Sequence, residues 1–91
     1  MATIRIHYLK LNIDFCDDVL SGNKNFEVRY NDRGYQTGDL IEFIPYDGKP
    51  CTHEISNHRY RIKYVLNGWG LKDGYVALAI EEGWQWLIKN I

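Results

Sequence analysis

Three charged side chains in the segment 21–33 have the types and spacing to bind a ligand. Glu27 and Arg29 alternate along a predicted strand over residues 25–30 and so share one face, because successive side chains of a strand point to opposite sides. Lys24 stands at the entrance to that strand, within reach of the same face. An arginine guanidinium offers a planar fork to a phosphate or a base edge, a lysine ammonium a point charge, and a carboxylate an acceptor for an exocyclic amine. The trio therefore predicts a site for a nucleotide-like ligand.

The opposite face of the same predicted strand is apolar. It carries Phe26, Val28 and Tyr30, which we expect to be buried in the core while the charged face lines a cleft. The alternative interpretation is an ordinary half-exposed strand with a surface ion pair, which would contribute little to stability. The alternation itself is compatible with both.

Two further side chains are candidates for the same site. His7 lies on a strand predicted from Thr3 to Leu11, opposite Ile4 and Ile6, where it could donate a hydrogen bond or exchange a proton near neutral pH. Arg33 ends the turn Asn31-Asp32-Arg33 and could extend the site from that loop. Each also has a structural interpretation, as a hydrogen-bonded strand histidine and as part of a turn stabilised by its own side chains.

A second basic set lies further along the chain. Within a strand-like segment from Thr52 to Leu66, three cations alternate with three apolar side chains. The cations are Arg59, Arg61 and Lys63, and the apolar residues are Tyr60, Ile62 and Tyr64. Positive charges two strand residues apart could follow the phosphates of a nucleic acid. The alternative is the solvated face of an ordinary strand.

Composition limits the classes of function. The chain has 91 residues, 45% of them hydrophobic, and a formal net charge of -1, which suits one small domain with its own core and excludes a polycationic nucleic-acid binder. No apolar run approaches the roughly 18 residues of a membrane span. Cys16 and Cys51 have no motif spacing, so one disulfide is possible, but two reduced thiols in a soluble cytoplasmic protein are the expected state. No cofactor or metal site is expected, because Cys51, His53 and His58 lack zinc-ligand spacing.

The elements that must position these residues are a helix and several short strands. Asn12 or Asp14 caps the helix, four residues form its buried stripe, and Gly22 ends it. The stripe consists of Ile13, Cys16, Val19 and Leu20. Further strands are predicted over 40–46 and 75–80, the last buried on both sides. The sequence predicts a mostly β (α+β) domain, a small β-barrel with one N-terminal helix beside it, spanning 1–91 with a core of about 3–80 and a Trp-rich tail over 81–91.

Several motifs in this order resemble the ASCH-like domains of the PUA-like superfamily, in particular a small branch without an assigned function that is common in bacteria and phages. The motifs are residues 7–10 (HYLK), 20–29 (LSGNKNFEVR), 31–33 (NDR), 37–39 (TGD) and 71–78 (LKDGYVAL). The resemblance covers most of residues 3–80. It implies a PUA-like β-barrel with a cleft beside the first helix and a ligand that is RNA or nucleotide-like.

Two alternatives stand beside a binding function. One ASCH branch contains small amidohydrolases that deacylate N4-acylated cytidine with a Lys, a Thr and a later Glu. Lys24 matches the Lys, Glu27 stands at the Thr position and would have to act as general base, and the later Glu has no assigned match. The other alternative is a protein-interaction domain that binds its partner through the barrel surface or through Trp84 and Trp86, although packing on the barrel is the favoured interpretation of these two residues.

Overall fold

The computed structural model of this protein describes residues 4–83. The described part contains five β-strands, one α-helix and one short 3-10 helix. In chain order they are β1 (Ile6–Asn12), α1 (Ile13–Ser21), β2 (Phe26–Tyr30), β3 (Leu40–Tyr46), the 3-10 helix (Glu54–Asn57), β4 (Arg59–Asn67) and β5 (Tyr75–Glu82). Between residues 4 and 83, no helix is long and apolar enough to cross a membrane.

The strands form one curled sheet in the order β1-β3-β4-β5-β2. β1 pairs with β3 in parallel, and the other neighbours are antiparallel. β1 and β2 are therefore the two edges of the sheet. The expected fold class is confirmed: the domain is mostly β, with its sheet curled into a half-barrel and one helix near the N-terminus.

The helix α1 forms for the local reasons that the sequence indicates. The Asn12 side chain accepts a hydrogen bond from the Asp14 backbone N–H at 2.9 Å, which caps the first turn. Gly22, at φ +87°, donates its N–H to the Val19 carbonyl at 3.1 Å and ends the helix in the left-handed conformation. Cys16 and Val19 are buried in the core of the half-barrel, and Ile13 and Leu20 pack against it.

The orientation of β2 corrects the sequence-based expectation. Phe26, Val28 and Tyr30 are 47%, 49% and 57% exposed, whereas Glu27 is 4% exposed. Register explains the reversal, because Glu27 lies opposite the fully buried Leu78 of β5 and shares its inward direction. The apolar face of β2 is therefore the outer face of the half-barrel, and the charged face points inward.

The predicted strand from 52 to 66 also needs correction. The chain forms the 3-10 helix before β4 begins, and a bulge between Ile62 and Tyr64 changes the side to which later residues point. Tyr60 and Ile62 are buried, but Tyr64 is 61% exposed.

The prediction that 75–80 is buried on both sides is wrong, because β5 is buried on its inner face alone. Its buried residues Val76, Leu78 and Ile80 alternate with the partly exposed Ala77 and Ala79, and the strand continues to Glu82, into the predicted tail. Trp84 and Trp86 lie outside the described residues, so their assignment as a partner surface stays a prediction.

Candidate functional site

Arginine side chains connect the two edges of the sheet. Arg29 of β2 donates from Nη2 to the Lys10 carbonyl of β1 at 2.7 Å. Arg33 donates from Nη1 to the Tyr8 carbonyl at 3.1 Å. These bonds occupy carbonyl groups on the edge of β1 that has no strand partner. Side chains therefore close the half-barrel along a seam between β1 and β2.

The predicted trio of charged residues comes together beside this seam. One carboxylate oxygen of Glu27 contacts the Lys24 ammonium, and the other accepts from Arg29 Nε at 3.1 Å and Nη2 at 3.0 Å. The Lys24 ammonium also donates to the Phe26 carbonyl at 2.9 Å. Burying a carboxylate is costly unless it is paired and hydrogen-bonded, and here two cations supply the partners. The trio carries one net positive charge.

A cleft of about 340 Å³ opens over the trio, between the end of β1, the first turn of α1 and β2. This volume lies within the usual range for small-molecule sites. Phe15 and Phe26 are half exposed at its walls, with their ring centroids 5.2 and 5.0 Å from the Lys24 ammonium. Lys10 adds another cation to the lining. The cleft combines flat apolar walls with positive charge, which suits a ligand that has both a ring and an anionic group.

His7 lies in a different, buried cluster. Its Nε2 is 2.8 Å from Asp39 Oδ2, and its ring packs edge-on against Tyr35 with centroids 4.8 Å apart. The same Asp39 oxygen accepts from Arg5 at 2.9 Å and from the Gln36 N–H at 3.1 Å. This cluster ties the loop before β3 to β1, and His7 is not among the residues that line the cleft.

Asp39 is the centre of that cluster and was missed as a site residue. Burial by itself would raise the pKa of its carboxyl, but hydrogen bonds from His7, the Gln36 backbone and Arg5 outweigh it and hold the pKa below its ordinary value. In the sequence, Asp39 belongs to Thr37-Gly38-Asp39, which indicates only a turn. No local signal pairs it with His7, 32 positions earlier.

The predicted basic stripe on β4 is matched by carboxylates of the neighbouring strands. Arg59 lies 2.7 Å from Glu42 of β3, and Arg61 lies 3.2 Å from Glu81 of β5. Lys63 lies 4.0 Å from the other oxygen of Glu81. These pairs reduce the positive potential that the stripe presents to a phosphate backbone.

The histidines near Cys51 are each engaged with carboxylates. His53 lies 2.7 Å from Asp17, and His58 lies 3.0 Å from Glu82. Among residues 4–83, no group of three or more His, Cys, Asp or Glu side chains is arranged to hold a metal ion.

Comparison with known proteins identifies the family. A family model described as a domain of unknown function, DUF3850, matches residues 6–80, which run from the start of β1 to near the end of β5. No curated protein matches the chain. The match includes the trio, the seam, and His7 and Asp39 of the buried cluster, but not Arg5. The chain therefore belongs to the DUF3850 family.

Proposed function

We propose that this domain binds a nucleotide-like ligand in the cleft over Lys24, Glu27 and Arg29. The observation that carries the proposal is the combination of two half-exposed phenylalanines with a net positive trio centred on the buried Glu27. Phe15 and Phe26 supply surfaces on which a base can stack. Lys24 and Lys10 supply charge for a phosphate. The resemblance to ASCH-like domains of the PUA-like superfamily supports the same ligand class.

The other predicted residues act indirectly in this proposal. Arg29 of β2 and Arg33 of the loop that follows it are tied to carbonyl groups of β1. His7 and Asp39 fix the loop that carries Arg33. We therefore assign ligand contact to Lys24 and its neighbours in the cleft, and positioning to Arg33 and His7.

The charge arrangement favours a nucleotide-sized ligand over a long nucleic-acid strand. An extended strand needs a continuous line of unneutralised cations, and the cations on β4 face Glu42 and Glu81. A free nucleotide and the terminal nucleotide of a single-stranded RNA share the same chemistry. An NMR titration with both kinds of ligand distinguishes the two sources.

The amidohydrolase alternative has less support from the geometry. A general base needs a carboxylate oxygen directed at a substrate or water. Both oxygens of Glu27 instead face cations of the protein itself. A binding function requires no such free oxygen.

The test is a two-dimensional NMR titration of the protein with ribonucleoside 5′-monophosphates and with a short single-stranded RNA. We expect shifts at Lys10, Phe15 and Lys24, with saturation by the monophosphates. Shifts that appear only with the oligonucleotide identify the RNA end as the ligand. Shifts centred on β4, or none with either ligand, would contradict the assignment.

Variants that spare the seam sharpen this test. Lys10→Ala and Phe15→Ala remove a cation and a stacking surface from the cleft, and both side chains are exposed. Phe15→Ala should weaken binding at least several-fold, because a stacked base is worth about 1–3 kcal/mol. Lys10→Ala should also weaken binding, because it removes a charge that would face the phosphate. Lys49→Ala removes an exposed lysine outside the cleft and should bind like the unmodified protein.

A further inference from the structure

A buried tyrosine hydroxyl on the inner face of the half-barrel has no hydrogen-bond partner among residues 4–83. It belongs to Tyr60 of β4, which is 3% exposed and packs its ring against Phe43 with ring centroids 5.4 Å apart. Buried polar groups of folded proteins are nearly always hydrogen-bonded, because an unbonded hydroxyl gives up its bonds to water without replacement. The Tyr60 hydroxyl is therefore able to bond to a molecule that enters beside it.

Tyr60 forms part of the wall of a pocket of about 130 Å³ between the end of α1 and the neighbouring ends of β4 and β5. Of the described residues, only Lys24 lines both this pocket and the cleft over the charged trio. Three apolar residues, Val19, Leu20 and Ile80, also line the pocket. The volume equals that of about four liquid water molecules at roughly 30 Å³ each, but apolar walls offer water no bonds. The pocket therefore suits a small organic molecule better than water.

A carboxylate lies on the same inner face. Glu82 pairs with Tyr60 in the register of β4 and β5 and follows the buried Ile80 by two residues, so alternation directs it inward. His58 Nδ1 lies 3.0 Å from Glu82, but the other ring nitrogen of His58 lies 3.5 Å from Glu54. One imidazole therefore faces two carboxylates and can neutralise at most one of them.

The remaining charges around the pocket also favour a positively charged ligand. α1 has no basic residue in its last turn, so the carbonyl groups at its C-terminal end keep their partial negative charge. The Lys24 ammonium, at the border with the cleft, contacts Glu27 and donates to the Phe26 carbonyl at 2.9 Å. Its charge is thus compensated on the side of the cleft, and the pocket favours a cation.

Tyr60 acts as a neutral hydrogen-bond donor at physiological pH. Burial, followed by the negative charge of Glu82, raises the pKa of Tyr60 to about 12. The phenol therefore keeps its proton and can donate it in a hydrogen bond to an oxygen atom. A ligand that satisfies this pocket needs an acceptor oxygen in addition to its positive charge.

We propose that this pocket binds a small organic ammonium compound that also carries an acceptor oxygen. The Tyr60 O–H donates to that oxygen, and the ammonium group lies beside Glu82 and the C-terminal end of α1. The apolar body of the ligand packs against Val19, Leu20 and Ile80. This proposal does not rest on a ligand in the cleft, because the two sites take ligands of opposite charge.

Three ring compounds of similar shape test which ligand groups are required. Morpholine has a protonated nitrogen and an ether oxygen, piperidine has the protonated nitrogen alone, and dioxane has oxygens without charge. In an NMR titration at neutral pH, we expect morpholine to bind most tightly and to shift the signals of Ser21, Gly22 and Ile80. Equal binding of morpholine and dioxane, or no binding of morpholine, would overturn the proposal. Morpholine shifts centred instead on Lys10 and Phe15, in the cleft, would overturn it as well.

Tyr60→Phe removes the hydroxyl and keeps the ring. It should weaken morpholine binding roughly three- to tenfold, the usual effect of one hydrogen bond, and leave piperidine binding unchanged. Because the hydroxyl has no partner within residues 4–83, we expect the variant to fold. Equal losses for morpholine and piperidine would contradict a bond from Tyr60 to the ligand oxygen.

Glu82→Gln and Glu81→Gln form a matched pair of charge removals at adjacent positions. Glu82 is on the inner face, whereas the Glu81 carboxylate lies 3.2 Å from Arg61 on the outer face. Glu82→Gln should reduce the preference for morpholine over dioxane, and Glu81→Gln should leave that preference nearly unchanged. Equal effects of the two substitutions would contradict the position of the ammonium group beside Glu82.

Discussion

At the scale of single residues, the most informative side chain is Glu27. It is buried between Lys24 and Arg29, and its negative charge compensates the repulsion between these two cations, so that all three side chains lie close together. A buried carboxylate of this kind is strongly coupled to its partners, because loss of the negative charge leaves both cations without compensation.

Glu27→Gln keeps the volume and removes the charge. We expect the free energy of unfolding in urea to fall by roughly 2–3 kcal/mol, because hydrogen bonds to charged groups and buried pairs are worth that much when broken. Glu81→Gln is the matched control, since Glu81 also lies near an arginine and a lysine but is far more exposed. It should cost less than about 1 kcal/mol. Equal losses would show that the Glu27 pairs behave as surface pairs.

Asp39 makes a pH-dependent contribution to stability. Since its pKa is lowered in the folded protein, the unfolded chain binds the proton more readily at acid pH. The stabilisation is therefore complete above the ordinary pKa of 3.8 and is lost as pH falls through the lower folded value. Asp39→Asn should reduce stability at neutral pH and flatten its decline in acid. If the unfolding free energy of Asp39→Asn fell with decreasing pH as steeply as that of the unmodified protein below about pH 5, this explanation would be contradicted.

At the scale of elements, the seam between β1 and β2 distinguishes this sheet from a closed barrel. Backbone pairing between the edge strands is replaced by arginine side chains that donate to β1 carbonyls. Edge strands with open backbone groups need such protection. The seam also borders the cleft, so the same side chains shape the candidate site.

Arg33→Ala should loosen the seam locally. We expect a loss of about 1 kcal/mol, the usual net value of one hydrogen bond, and faster amide hydrogen exchange in residues 31–39 and β1. Exchange in β4 and β5 should change little. Arg59→Ala, which removes a pair with Glu42 away from the seam, is the control. Uniformly faster exchange throughout the sheet would indicate that Arg33 supports the whole fold.

At the scale of the whole molecule, charge is distributed as local pairs. Most of the lysines and arginines between residues 4 and 83 have a carboxylate oxygen within 4.0 Å, and the chain has a net charge of -1. Long-range attraction of a polyanion is therefore weak. The proposed recognition of an anionic ligand would therefore depend on the cleft.

Binding of single-stranded RNA should consequently depend only weakly on salt. For one or two phosphates, the plot of log K against log salt has a slope between about -0.7 and -1.4. Lys10→Ala should make the slope shallower, and Lys63→Ala should leave it unchanged. A much steeper slope that depends on Lys63 would place the interface on β4, along Arg59, Arg61 and Lys63.

Local sequence was sufficient for most of the elements, although it did not indicate the 3-10 helix at Glu54–Asn57. The cap at Asn12, the stop at Gly22 and the apolar stripe between them specify α1 through interactions within a few residues. The strand over 40–46 is equally well defined. The alternation of Glu27 and Arg29, with Lys24 beside them, correctly indicated that the three side chains would meet.

Tertiary structure alone decided which faces are inside. Alternation has a period of two residues, and the pattern is the same whichever face of the strand is buried. Pairing with the neighbouring strand decides which face is buried, and for β2 that neighbour is β5. The bulge in β4, the pairing of His7 with Asp39 and the seam arginines likewise depend on residues distant in the sequence. The chain by itself determined the helix, most of the strands and the charged trio. Long-range register determined that the trio faces inward and that Phe26, Val28 and Tyr30 face out, because burial is a property of the assembled sheet.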